Sequence, residues 1–343
     1  LKEIHNASVK LQDKYTTNVY DYKKLKSNTN QIIPTIGLNP DDGLKVGVNN
    51  TYTVYGFERN PFTSQHKINT AFYFATNGYE IKYQGEFASI IGNLNFKINS
   101  NFQSPNYTLN FFGFGNETKN IDDDLGLDYN RVKVREFQLK PSFVYRSHGG
   151  SQFSFGLSYE SVEVENTEDR YITNSPQLPS SVFKSNQFGA ITTKFEFENY
   201  DNKAYPTLGF QSSLEIGYKM NFNQNNVGYT YLIPELSFVH KLLPSGKLVL
   251  ASRIKSQINF GNNFEFYQAA SIGGINGLRG YRNQRFTGNK YLFQNTDIRY
   301  SFGKFRTKLI PIRMGLFAGF DDGRVWLDGE DSKKWNNSYG GGF

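Results

Sequence analysis

The run Phe210–Phe222 alternates along its whole length. Phe210, Leu214, Ile216, Tyr218, Met220 and Phe222 fall on one face, and Gln211, Ser213, Glu215, Lys219 and Asn221 on the other. Successive side chains of a strand point to opposite faces, so this reads as one strand with an apolar and a charged side. Leu248–Phe260 repeats the pattern, with Leu248, Leu250, Ile254, Ile258 and Phe260 opposing Arg253, Lys255, Gln257 and Asn259. The length of these runs is the constraint. A strand of a soluble protein usually has about 5–6 residues. These have about 13, and a tilted strand crossing a bilayer needs roughly 9–11. Long strands charged on one side suit a barrel with a wet lumen and a lipid-facing outside. Closure also removes the unpaired edges that long strands would expose. The alternation predicts Leu214, Ile216, Tyr218 and Met220 outward and Glu215 and Lys219 in the lumen, where Lys219→Gln should cost little.

From Ile32 onward the chain reads as strand after strand, at 31–38, 44–57, 66–76, 79–89, 93–103, 131–146, 151–164, 183–199, 205–222, 227–243, 246–260, 290–303, 311–326 and 337–343. Connections at 147–150, 201–204 and 243–246 are short, and those at 104–130, 165–182, 261–289 and 327–336 are long. Short turns at one end and long loops at the other are the habit of outer-membrane barrels. Residues 1–30 are polar and rich in Lys and Asn, and read as a lead-in from an upstream region; 31–343 is the barrel. Leu1-Lys2-Glu3-Ile4 has no apolar leader.

Composition narrows the classes. The chain has no cysteine, which excludes disulfide frameworks, thiolate metal sites and cysteine nucleophiles. Aromatics are 16% while apolar residues total only 38%, and no run approaches the roughly 18 residues of a transmembrane helix. The net charge of +7 is scattered, with no basic block beyond Lys23-Lys24-Leu25-Lys26, so a nucleic-acid footprint is not expected. His5, His66, His148 and His240 are far apart and show no metal-ligand spacing, so neither a catalytic nor a metal site is expected. Gly273-Gly274 and Gly277 are followed by no GK[ST] and form no P-loop. The run Asp122-Asp123-Asp124-Leu125-Gly126-Leu127-Asp128 lacks the glycine position and final glutamate of an EF-hand loop and reads as a solvated acidic loop.

Two motifs go further. Gly273-Gly274-Ile275-Asn276-Gly277-Leu278-Arg279-Gly280-Tyr281-Arg282 lies between two strand-like segments, and Gly319-Phe320-Asp321-Asp322-Gly323-Arg324-Val325-Trp326 follows it. Tyr200-Asp201 through Tyr205-Pro206-Thr207-Leu208-Gly209-Phe210 and the closing Gly340-Gly341-Gly342-Phe343 add a third and a fourth. In this order and spacing they resemble the BamA/TamA superfamily of outer-membrane barrels. Tyr20-Asp21-Tyr22, the segment Pro34–Leu44 and the segment Asn110–Thr118 look similar to a Bacteroidota branch, some members of which carry an upstream metallophosphoesterase domain.

The resemblance implies an all-β, transmembrane antiparallel β-barrel of the sixteen-stranded type, with this chain ending near the fourteenth strand and its last strands missing. It implies that the loop bearing Leu278, Arg279, Gly280 and Tyr281 turns into the lumen and that Arg279 meets Asp321, two residues before Gly323. Asp322 is the competing carboxylate. Gly319 stands where relatives often carry a bulky residue. The implied function is insertion or translocation of outer-membrane proteins, without enzymatic activity or cofactor. The implied partners are outer-membrane lipid or lipopolysaccharide, client proteins and accessory envelope proteins. The alternative is a barrel that anchors an upstream phosphoesterase.

Overall fold

Alternation in the sequence is realised as successive antiparallel hairpins. The computed structural model describes residues 27–39, 43–56, 62–147, 149–224, 227–306 and 311–343. Its strands are β1 (Thr29–Asn39), β2 (Gly43–Val54), β3 (Ser64–Tyr73), β4 (Gly78–Ile91), β5 (Leu94–Gln103), β6 (Thr108–Asn110), β7 (Arg131–Arg146), β8 (Ser151–Val164) and β9 (Asn186–Tyr200). They continue as β10 (Gly209–Asn221), β11 (Gly228–Lys241), β12 (Leu248–Phe260), β13 (Ala270–Ile272), β14 (Phe286–Gly288), β15 (Lys290–Arg306), β16 (Pro311–Trp326) and β17 (Asn336–Gly342). One antiparallel ladder runs in chain order from β1 to β17, with β6 pairing off the path onto β7 and β13–β14 forming a separate small hairpin. Among the described residues β1 and β17 do not pair with each other.

Strand ends differ from the sequence reading where polar groups close turns. β9 begins at Asn186, after a 3-10 turn, Ser180–Phe183, that buries Val182. β10 begins at Gly209 because Asp201 caps the preceding turn, accepting from Thr207 N at 2.8 Å, Leu208 N at 3.1 Å and Thr207 Oγ1 at 2.5 Å. β1 begins at Thr29, inside the expected lead-in, where Asn50 Nδ2 donates to Asn30 Oδ1 at 2.6 Å. Residues 1–26, which hold His5 and Tyr20–Tyr22, lie outside the described residues, as do 40–42 and His148.

The faces follow the alternation. Phe210, Leu214, Ile216 and Tyr218 are between 40% and 46% exposed, on the outside of β10; Met220 shares that face and is half-buried. Phe143, Phe155, Leu157, Ile191, Phe195 and Leu236 are likewise exposed. A wide apolar exterior over a polar interior is the inverse of a water-soluble fold and matches a barrel set in hydrocarbon.

The lumen side is more closely paired than alternation alone suggests. Lys219 Nζ meets Glu160 Oε2 at 2.7 Å, with side chains only 14% and 7% exposed. Gln138 donates to the same carboxylate at 3.1 Å, and Gln268 Nε2 reaches its other oxygen at 3.5 Å. Lys219→Gln would therefore leave a buried carboxylate without its cation, which corrects the expectation that the change is tolerated. Alternation tells the face of a side chain but not how deeply it is enclosed.

The long connections gather at one end. There Phe111, Val134, Val164, Ile172, Val182 and Phe266 share an apolar core that joins three of the loops. Asn116, fully buried, joins two of them. Its Nδ2 donates to Ser332 Oγ at 3.0 Å and Lys334 O at 2.8 Å, while its Oδ1 accepts from Val325 N and Asn336 Nδ2, both at 3.1 Å. Every hydrogen-bonding capacity of that amide is filled.

Candidate functional site

The segment between β12 and β15 folds inward because its apolar residues have a core to join. Leu278 and Ile272 are fully buried against Phe293 and Val325, lumen-facing residues of β15 and β16. Gly323 makes this approach possible, since a Cβ there would lie 2.8 Å from Phe293 Cβ and 3.1 Å from Leu292 O. Leu278 thus seats the loop on the wall, and Tyr281 packs edge-on against Phe286 at 5.4 Å.

Arg279 follows directly. Its backbone N donates to Asp321 Oδ2 at 2.9 Å, its Nε to Oδ1 at 3.0 Å and Oδ2 at 2.9 Å, and its Nη2 to Oδ1 at 2.5 Å. This is a forked, charge-assisted contact in which the planar guanidinium matches a carboxylate. Ser338 Oγ donates to Asp321 Oδ2 at 3.2 Å and accepts from Gly280 N at 3.3 Å, which ties β17 to the same point. Asp322 faces the outside with Phe320 on one side and Arg324 on the other, and takes no part.

The same guanidinium also reaches Asp297 on β15, with Nη2 donating to Oδ1 at 2.8 Å. Gly319 lies opposite Asp297 in the ladder. A Cβ on Gly319 would sit 2.6 Å from Arg279 Nη2 and 2.7 Å from Asp297 Oδ1. The glycine therefore opens the space through which one arginine spans two carboxylates. Asp321 is 2% exposed and Arg279 42%, so the carboxylate is enclosed while water reaches the cation. Cavities of about 330 and 300 Å³ border Arg279, Asp297 and Arg299. The bond to Asp321 and the contact with Asp297 push the Arg279 guanidinium up from its ordinary value, outweighing burial, and it stays charged.

Two further arginines of the same loop, Arg282 and Arg285, point the other way. Arg282 Nη1 donates to Asp122 Oδ2 at 2.8 Å and its Nη2 to Asn110 Oδ1 at 2.9 Å. Arg285 donates to Thr118 Oγ1 at 2.7 Å and lies over the rings of Phe112 at 4.8 Å and Phe286 at 4.6 Å. Asp122, read from sequence as a solvated acid, is instead a buried partner of Arg282, which a run of three aspartates did not disclose. Burial opposes ionisation there, but bonds from Arg282 and Asn130 hold the carboxyl below its ordinary range. The later part of the loop is thus held from two sides, with Arg279 to the barrel wall and Arg282 and Arg285 to the 104–130 connection. Asp297, Ser338 and Arg282 were not singled out from sequence. The first two act through cross-strand register, which no local motif encodes.

Among the described residues no cluster of His, Cys, Asp and Glu has metal-binding geometry. Residues 77–342 match the family model described as the Omp85 superfamily domain. In fold, the chain is similar to BamA from Haemophilus ducreyi lacking POTRA domains 1–3, with a TM-score of 0.63 and 16% identity over 92% of this chain and 64% of that one. It is also similar to CdiB from Acinetobacter baumannii, with a TM-score of 0.51 and 14% identity over 92% of this chain and 53% of that one. CdiB from Escherichia coli gives a TM-score of 0.57 and 11% identity over 91% and 54%. The chain thus spans less than two thirds of these solved chains, and at such identities the likeness is one of fold. No protein of curated function matches it in sequence.

Proposed function

This chain belongs to the Omp85 superfamily and is an outer-membrane β-barrel, and from that premise we propose that it inserts or translocates polypeptides at the outer membrane. The observation that carries the proposal is an interruption in the apolar exterior. Outward positions on β7–β10 include Phe137, Phe143, Phe155, Leu157, Ile191 and Ile216. On β15–β17 the outward face keeps Ile298, Tyr300 and Leu316 but also carries Gln294, Thr296, Asp322, Arg324 and Asn337, with Gln294, Asp322 and Asn337 neighbours across the ladder and Thr296 beside Phe320 and Tyr339.

Charged groups on the lipid side cost up to roughly 2–4 kcal/mol at the midplane for a cation and about 0–1 near the interfaces. Such a stripe favours water and headgroups over ordered tails. A polar, partly folded strand arriving there meets a lower barrier than at the phenylalanines, leucine and isoleucines of β7–β10. The loop pinned by Arg279 and by the Gln268–Glu160 contact occupies the lumen, which argues against an open diffusion pore. On this reading the partners are outer-membrane lipid or lipopolysaccharide, client outer-membrane proteins and accessory envelope proteins.

The test is client folding into vesicles that carry the full-length protein, with and without Gln294→Leu, Asp322→Leu and Asn337→Leu combined. The expected result is client assembly slowed several-fold while the barrel keeps its own heat-modifiable gel shift. An unchanged rate defeats the proposal. A barrel that only anchors an upstream domain would not accelerate client folding even unmodified.

A further inference from the structure

The long-loop end of the barrel holds a cavity of about 590 Å³. It lies between the 165–185 connection, the end of β10, the segment 262–266 and the turn at Leu327 and Asp328. Its size is within the range of roughly 300–1,000 Å³ typical of small-molecule sites. Primary amides, two carboxylates and phenylalanine rings dominate its wall, and among the described lining residues there is no lysine, arginine or histidine.

The polar groups are held but not used up. Gln224 Nε2 donates to Glu265 Oε1 at 3.1 Å, Asn289 Nδ2 to Asn262 Oδ1 at 2.6 Å and Asn263 Nδ2 to Gly228 O at 3.4 Å. Each bond fixes a side chain, and three amides keep a second polar atom without a partner among the described residues: Gln224 Oε1, Asn262 Nδ2 and Asn263 Oδ1. Phe264 stands beside them, half-buried and braced edge-on by Tyr229 at 5.6 Å.

This pattern selects a ligand class. Glu265 and Asp328 without a nearby cation repel phosphates, sulfates and carboxylates. A purely apolar ligand would leave the fixed amides and carboxylates unpaired, which is unfavourable. A polyol meets both demands, because each hydroxyl both donates and accepts. The C–H face of a pyranose also packs on a rigid aromatic ring such as Phe264. We propose that this cavity binds a short neutral saccharide. The proposal does not depend on polypeptide insertion, since no residue lining the cavity belongs to the Arg279 site or to the outward stripe.

The test presents the detergent-solubilised full-length protein to immobilised maltose, mannobiose, lactose, chitobiose and N-acetyllactosamine, beside phosphorylated and sulfated sugars and neutral polar peptides. Titration calorimetry follows with the best-retained neutral sugar. Retention of at least one neutral saccharide in preference to the charged sugars and the peptides is expected. At least tenfold weaker binding is expected for Phe264→Ala and for Asn262→Asp, which replaces a donor with a carboxylate. Gln224→Ala, at an exposed position, serves as a second variant if Phe264→Ala alters the heat-modifiable gel shift. Retention of no neutral saccharide, preference for charged sugars or peptides, or unchanged affinity in the variants overturns the proposal.

Discussion

Arginine placed on either side of β10 should have very unequal consequences. Ile216 sits near the middle of the strand on its outward face, 46% exposed, opposite Thr193 on β9 and Leu232 on β11. In Ile216→Arg the guanidinium has no partner within the bilayer, and the cost near the midplane is about 2–4 kcal/mol. At about 1.4 kcal/mol per factor of ten, that is on the order of thirty- to several-hundred-fold in the folding equilibrium. Ser213 is three residues away on the other face, with Glu196 and Glu235 as its two cross-strand neighbours. Both carboxylates already have cations, Lys194 at 2.7 Å and Arg253 at 2.8 Å, so a third cation gains little. An opposite-charge cross-strand pair contributes roughly 0.2–1 kcal/mol, and fixing a long side chain takes back a similar amount. Ser213→Arg is therefore expected near neutrality. Urea titration of the barrel in thin phospholipid vesicles, read by heat-modifiable mobility, measures both. Equal losses, or a larger loss for Ser213→Arg, would show that the faces have been exchanged or that the exterior does not meet lipid.

Three other outcomes are expected. Arg279→Ala and Asp321→Ala should each cost about 1.5–3 kcal/mol, the range for hydrogen bonds to charged groups, with the double variant no worse than either; additive losses in a double-mutant cycle would show that the two residues act separately. Gly319→Leu should damage as much as Asp321→Ala, because its Cβ alone would approach Arg279 Nη2 to 2.6 Å; wild-type stability in the same urea titration would contradict the packing described. The Asp122 carboxyl is depressed, so its contribution is present above the unfolded carboxylate range and is lost as pH falls through the folded value. Limited proteolysis of the 104–130 connection should therefore increase under acid, and should occur at neutral pH in Arg282→Ala. A pH-independent cleavage pattern would remove Asp122 from that role.

Much of the architecture could be read from the sequence because lipid leaves little choice. A strand that crosses hydrocarbon keeps one face mostly apolar, and β10 and β12 display this with only serines interrupting it. The ends of strands were harder to read. Asp201 stops the approach to β10 through bonds to Thr207 and Leu208, a geometry that alternation cannot show. At the site, motif order drew attention to Arg279 and Asp321, and the fold brings their side chains together. Nothing local points to Asp297, which reaches Arg279 only because the β15–β16 register sets it opposite a glycine. Asp122 was misread for a related reason. Its partner Arg282 is 160 residues away, and a cluster of acids carries no mark of a distant cation.

The fully bonded amide of Asn116 bears on the order of assembly. Its contacts to Val325 and Asn336 close chain separations of 209 and 220 residues. Contacts of such range are the slow ones, because loop entropy must be lost before they form. Nascent β6–β7 hairpins can build early from neighbours, but Asn116 has no acceptor or donor there until β16 and β17 arrive. Loop-end protection should thus lag behind strand formation, and in pulsed hydrogen exchange the Val325 amide should become protected only in the final kinetic phase.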